Sequence, residues 1–133
     1  MKQTIPFFAI AVVAVSLWGT LLLSRQSDPL ETIMQRKLEY AHSLFQALIF
    51  EDFDAIDRNS ERLQRLSEAS NWNVIRTHKY TQHSSEFRRA VDALRKAAQE
   101  KDLDAAALAY AEMTLKCVQC HKYVRGVDRA GLR

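Results

Sequence analysis

The distribution of glycine and proline constrains this chain more than any other feature of its sequence. After Pro29, neither residue occurs again until Gly126, and the last glycine is Gly131. Both residues are disfavoured inside helices. The stretch between them is rich in Ala, Leu, Glu, Arg and Lys, which are the residues that helices prefer. The sequence therefore predicts an all-α fold.

The first predicted helix starts at the segment Asp28-Pro29-Leu30-Glu31, in which aspartate is the N-cap and proline takes the first helical position. It extends to about Phe50. Its apolar residues recur at alternating spacings of three and four, which places them on one face of a helix. This apolar stripe, which we expect to face inward, consists of Leu30, Met34, Leu38, Ala41, Phe45 and Leu48.

Three more helices are predicted by the same periodicity. They run from about Asp54 to Glu68, from about Gln82 to Lys101, and from Leu103 to Arg125, where Gly126 ends the last one. Asp102 is the expected N-cap of the last helix, and a linker at 70–80 separates the middle two. Four helices with short connections favour an antiparallel up-down four-helix bundle.

A Cys-x-x-Cys-His motif occupies residues 117–121, near the end of the fourth predicted helix. In such a motif, two thiols form thioethers with the vinyl groups of haem, and the adjacent imidazole ligates the iron. Residues three apart lie on one face of a helix, so Cys117 and Cys120 can hold one edge of the macrocycle while His121 faces the metal. The motif predicts one covalently bound haem c.

Other uses of paired cysteines fit this sequence less well. A thioredoxin-like pair belongs near a strand and at the start of a helix, whereas this pair comes late in a helical pattern. Structural zinc needs two more ligands at a paired spacing, and the chain has only two cysteines. A disulfide between Cys117 and Cys120 closes too short a loop to stabilise a fold. Haem attachment is the favoured interpretation.

Residues 1–24 have the composition of a membrane-directed leader. Lys2 supplies a positive charge, and the run from Ile5 to Leu23 is almost continuously apolar. Because no Ala-x-Ala site precedes Ser24, we favour an uncleaved helical anchor in the inner membrane over a cleaved signal peptide, with Arg25 on the outer side. Either interpretation predicts a periplasmic haem domain at residues 25–133.

The charge distribution does not indicate a nucleic-acid partner. The formal net charge is +3, and the Lys and Arg residues are interspersed with Asp and Glu rather than clustered. The two propionates of a haem largely offset this excess. We expect no nucleic acid to bind.

A Cys-x-x-Cys-His motif at the end of four predicted helices resembles the class II cytochromes c, the cytochrome c′ type. The resemblance covers the chain after the leader, although only residues 117–121 are specific to it. It implies a helix bundle around one haem c, with His121 as the proximal ligand. It also implies a basic residue beside the haem, at the position of Arg125; a solvated arginine at a helix end is the alternative.

The same resemblance implies that the first helix crosses the distal face of the haem. Counting back from the start of the second helix places the distal residue at or beside Met34, whose thioether is a ligand that favours ferrous iron. The alternative is that Met34 only fills space in the core. If Arg36 matches an arginine that the family often has one turn before the distal residue, that residue becomes Tyr40. His42 is a weaker candidate.

The residue at the sixth coordination position of the iron, opposite His121, decides between two functions. A methionine implies a periplasmic electron carrier that exchanges electrons with other redox proteins, whereas an apolar distal residue implies a five-coordinate haem that binds nitric oxide or carbon monoxide. An enzyme is not expected, because no acid–base group can be placed over the iron. His78 and His83, in or beside the linker, are expected to be solvated.

The fourth predicted helix is apolar on two faces, so we expect it to be buried, with one face on the haem. The other face is then left for neighbouring helices or for a second subunit, which leaves a homodimer open. The two faces consist of Met113, Cys117, Cys120 and Val124, and of Leu108, Ala111, Leu115 and Val118.

Overall fold

The computed structural model describes residues 29–69, 75 and 77–130. Within them the chain forms four helices and no strands, which confirms the predicted all-α bundle. The expected N-cap at Asp28, the leader of residues 1–24 and most of the 70–80 linker lie outside the described residues. The helices are α1 (Pro29–Ile49), α2 (Phe53–Glu68), α3 (His78–Gln99) and α4 (Leu103–Arg129).

Helices that follow each other in the chain pack against each other. Contacts are extensive between α1 and α2, between α2 and α3, and between α3 and α4, whereas α1 and α4 touch much less. The side between α1 and α4 is therefore the open side of the bundle. The largest fully buried apolar side chains of the core are Leu44, Ile56, Leu63, Val91, Leu94 and Met113.

The two short connections of the bundle are built in the same way. At the first, the Asp52 amide donates to the Ala47 carbonyl at 2.9 Å, and Glu51 has a φ of 55°. This is the left-handed turn that satisfies the last carbonyls of a helix. Lys101 and Asp102 repeat the arrangement after α3. Each aspartate then caps the next helix through its side chain, so the predicted cap at Asp102 is confirmed.

The buried face of α1 matches the predicted one only in part, since Leu48 of the predicted stripe is buried. Ile33, Lys37 and Leu44 are buried, whereas Leu38 and Phe45 of the predicted stripe are more than half exposed. The helix carries two adjacent rows of largely apolar residues. The row that packs against the other helices is the one that contains a lysine. The periodicity of the apolar residues alone does not show this.

The fourth helix is only partly buried, contrary to expectation. Its predicted second apolar face is exposed at Leu108, Leu115 and Val118. The helix packs closely on α3 and only lightly on α1, which leaves that face without a neighbour inside the described parts of the chain.

The third helix begins one turn earlier than predicted, at His78 rather than Gln82. Thr77 is its N-cap, and its hydroxyl accepts a hydrogen bond from the Tyr80 amide at 3.2 Å. Because polar residues fill the first turn, the apolar periodicity becomes visible only further along the helix.

Gly126 does not end α4, which continues to Arg129. Beyond the glycine, Val127 packs with Ile75 and Tyr80 in a small second core, and this burial offsets the cost of a glycine inside a helix. A Cβ at position 126 would meet no atom within 4 Å.

We therefore expect Gly126→Ala to raise the free energy of unfolding by about 0.5 kcal/mol, because alanine is the better helix former. Urea unfolding followed by circular dichroism measures the change. An unchanged or lower midpoint would contradict this account of the end of α4.

Candidate functional site

A cavity of about 130 Å³ lies between α1, α3 and α4, and α2 contributes Leu63 to its wall. Its wall is mostly apolar and includes Leu38, Leu63, Phe87 and Met113. It lies on the side of the bundle where α1 and α4 touch least. An apolar cavity with a few polar groups is the usual form of a ligand site, so this cavity is the candidate site.

The motif at 117–121 forms the α4 wall of this cavity. Cys117, Cys120 and His121 all line it, as the helical spacing predicts. Both cysteines are partly buried and neither forms a disulfide, while His121 is exposed on its other side. Two thiols and one imidazole therefore face a single apolar space.

The three motif side chains are held in their neutral forms. Burial raises the pKa of the Cys117 and Cys120 thiols, although the charge of nearby Lys37 opposes the rise. Burial also lowers the pKa of His121, and the charges of Arg125 and Lys37 lower it further. A neutral imidazole is the form that ligates a metal.

Of the predicted distal residues, the structure brings Met34 to the cavity and leaves Tyr40 out of its wall. Met34 lines the α1 wall, across from the motif. The Tyr40 ring packs at the edge of the main core, with the Arg62 guanidinium carbon 5.6 Å from its centroid. His42 is exposed and is not part of the wall.

Lys37 is a cavity residue that the sequence analysis missed. It is only 9% exposed, and its Nζ lies 4.5 Å from the centroid of the Phe87 ring. Burial lowers its pKa to about 7 from the ordinary 10.5, although the two cysteines act to raise it. The sequence does contain one sign of this burial: Lys37 comes four residues after Ile33 and seven before Leu44, so the three share one face of α1.

His83 is buried, so the prediction that it is solvated is wrong. It is 8% exposed and lines the cavity from α3. Its Nδ1 lies 3.9 Å from the Glu86 carboxylate, and the centroid of its ring lies 5.6 Å from the centroid of the Tyr123 ring. The Tyr123 hydroxyl in turn shares a 2.7 Å hydrogen bond with the Thr77 hydroxyl. The early start of α3 is what places His83 inside; His78 is exposed, as expected.

Arg125 lies outside the cavity wall. It is exposed and contributes to a separate shallow depression with Asp128 and Arg129. Its charge nevertheless acts on His121, whose pKa it helps to lower. The structure therefore places Arg125 near the motif without bringing it into the cavity.

Comparison with protein-family models, with curated proteins and with solved structures found no match for this chain. Among the helices from Pro29 onward, none has the length and apolar character needed to cross a membrane.

Proposed function

We propose that this chain is a c-type cytochrome that holds one haem through Cys117 and Cys120, has His121 as the proximal iron ligand, and functions in electron transfer. The observation that carries the proposal is the joint exposure of both thiols and the imidazole to one apolar cavity. The motif supports the choice of ligand, because this spacing is the one that c-type haem uses.

The residues that line the cavity fit a haem. Both thiols are free of a disulfide and available for thioether bonds, and they lie one helical turn apart on α4. Leu38, Ala41 and Phe87 supply apolar surface for the faces of the macrocycle. Leu38 is 57% exposed, and a flat apolar ligand held here would cover it.

Each part of the site has a separate role in this proposal. Haem c, when bound, supplies reversible one-electron chemistry at its iron. Cys117 and Cys120 fix the ring to α4, and neutral His121 provides the proximal nitrogen. Met34, on the opposite wall, is the predicted distal ligand and would favour the ferrous state. His121 is exposed at the protein surface, so an electron would have only a short distance to travel between the iron and a redox partner.

The proposed setting is the periplasm, where haem c is attached and where the partners are other redox proteins. The apolar character of residues 1–24 supports it, as an inner-membrane anchor or a signal peptide. The exposed apolar side chains on α4, Leu108, Leu115 and Val118, are where a second subunit would pack if the protein is a homodimer.

The visible absorption spectrum of the full chain, produced in a host that attaches haem c, tests the proposal. We expect a covalently bound haem that is low-spin in both oxidation states and that carbon monoxide hardly alters, since both axial positions are filled. A high-spin spectrum that shifts with carbon monoxide would instead support the gas-binding function. The absence of bound haem would contradict both functions.

A further inference from the structure

We propose that this chain forms a homodimer in which the outer faces of two α4 helices pack antiparallel around a two-fold axis. The inference makes specific the second subunit that the proposed function leaves open. The contact surface is a row of six residues, which we call the α4 ridge: Asp104, Leu108, Ala111, Leu115, Val118 and Lys122. None of them lines the cavity, so the inference does not depend on a bound haem.

The α4 ridge has the spacing of a coiled-coil seam. Its residues recur at alternating intervals of four and three, which places them on one face that a partner helix can follow. Leu108 is 74% exposed, Leu115 51% and Val118 56%, and the other three residues are also exposed. Met113, which is almost completely buried, lies on the opposite side of α4. The ridge therefore points away from the core of its own chain.

The ridge is symmetric about its midpoint, as a surface that packs on a copy of itself must be. Its residues form three pairs at equal distances on either side of position 113: Asp104 with Lys122, Leu108 with Val118, and Ala111 with Leu115. When two α4 helices lie antiparallel and centred on this position, each residue faces its pair member on the other chain. Small Ala111 then faces the partner's Leu115, which lets the two helices interdigitate.

The charges at the two ends of the ridge favour the antiparallel arrangement. In it, Asp104 faces the partner's Lys122 at both ends of the contact, whereas parallel helices would bring like charges together. Within the parts of the chain that the structure describes, neither Asp104 nor Lys122 forms an ion pair in its own chain. Both charges are therefore available to a second copy.

The contact is small and includes one unfavourable pair. Because a single helix from each chain is in contact, we expect a dissociation constant that is roughly micromolar. Glu112 is exposed on the edge of the ridge, next to the axis, where it comes close to the partner's Glu112. Like charges repel, so Glu112→Gln should lower the dissociation constant.

The test uses the full chain in a non-denaturing detergent, and sedimentation velocity measures the dissociation constant of the dimer. Asp104→Lys and Lys122→Asp each place like charges at both ends of the contact, so each should raise this constant about tenfold or more. An equimolar mixture of the two variants should associate as tightly as the unaltered chain, because each chain then supplies the charge that the other needs. Both residues are exposed, so the single chain should fold as before, which circular dichroism checks.

Two apolar variants separate the ridge from other contacts. Leu115→Ser removes a leucine from each side of the contact and should raise the dissociation constant more than about tenfold. Ile49→Ser makes a similar change at a residue of α1 that is 65% exposed and lies outside the ridge. It should leave the dissociation constant unchanged.

Three results would overturn the proposal. A chain that stays monomeric well above micromolar concentrations leaves the ridge to a partner of another kind. A dimer that neither Asp104→Lys nor Leu115→Ser weakens is held together elsewhere, for instance through residues 1–24. A mixture of the two charge variants that does not associate excludes the antiparallel pairing. None of these results bears on haem attachment, which the visible spectrum tests separately.

Discussion

Replacing Cys117 and Cys120 together by serine is expected to abolish covalent attachment of haem. The thioethers form only at thiols, and the structure brings both thiols to one cavity without joining them in a disulfide. Intact-protein mass spectrometry measures the result: the unaltered chain should gain the mass of one haem, and the double variant none. Either single variant should retain attachment through the remaining thiol, in lower yield.

Val118→Ser is the matched control for this experiment. Val118 lies between the two cysteines in the motif but is 56% exposed and does not line the cavity. The same polar replacement on the same turn of α4 should therefore leave the attached haem unchanged. The same gain in mass in the double cysteine variant would contradict attachment at these thiols.

Lys37→Met is expected to stabilise the haem-free chain at pH 7 by about 2 kcal/mol or more. Burial lowers the pKa of Lys37 to about 7 from 10.5. This shift means that the charged lysine lowers the free energy of unfolding by at most about 5 kcal/mol. Methionine has a similar length and fills the same apolar space without a charge. Part of the gain is lost with the contact of the amine to the Phe87 ring.

The gain from Lys37→Met should depend on pH in a defined direction. Below pH 7 the folded chain contains a buried charged lysine, so the cost is fully present. As the pH rises from 7 towards 10.5, the lysine of the unfolded chain also loses its proton, and the cost disappears. Urea unfolding should therefore show a large gain in the free energy of unfolding at pH 7 and a small gain near pH 10.

Lys122→Met serves as the control for this pH dependence. Lys122 is exposed on α4, so its replacement should change the free energy of unfolding by less than about 0.5 kcal/mol at either pH. A lower free energy of unfolding in Lys37→Met, or a gain of the same size at both pH values, would contradict a Lys37 pKa that burial has lowered.

Much of the fold could be predicted because its determinants are local. The absence of glycine and proline from 30 to 125 and the cap at Asp102 are visible in the sequence. The ends of α3 and α4 were missed because they depend on Thr77 as a cap and on Val127 packing against Ile75 and Tyr80. Such contacts join segments that are distant in the chain, and local periodicity does not contain them.

The candidate site divides in the same way. Cys117, Cys120 and His121 could be grouped from the sequence, since a single helix fixes their relative positions. Lys37 and His83 reach the cavity from other helices, and both are polar residues that pattern analysis assigns to the surface. Only the packing of the helices around the cavity shows that they are buried.

The sequential packing of the helices has a consequence for how this chain folds. Because each helix packs mainly on the next one, most contacts join residues close in sequence, a topology of low contact order that folds rapidly. The weak pair, α1 and α4, is the pair farthest apart in the chain. A haem bonded to α4 and ligated from α1 would act as a cross-link between the two ends of the domain, and would slow its unfolding more than it speeds its folding.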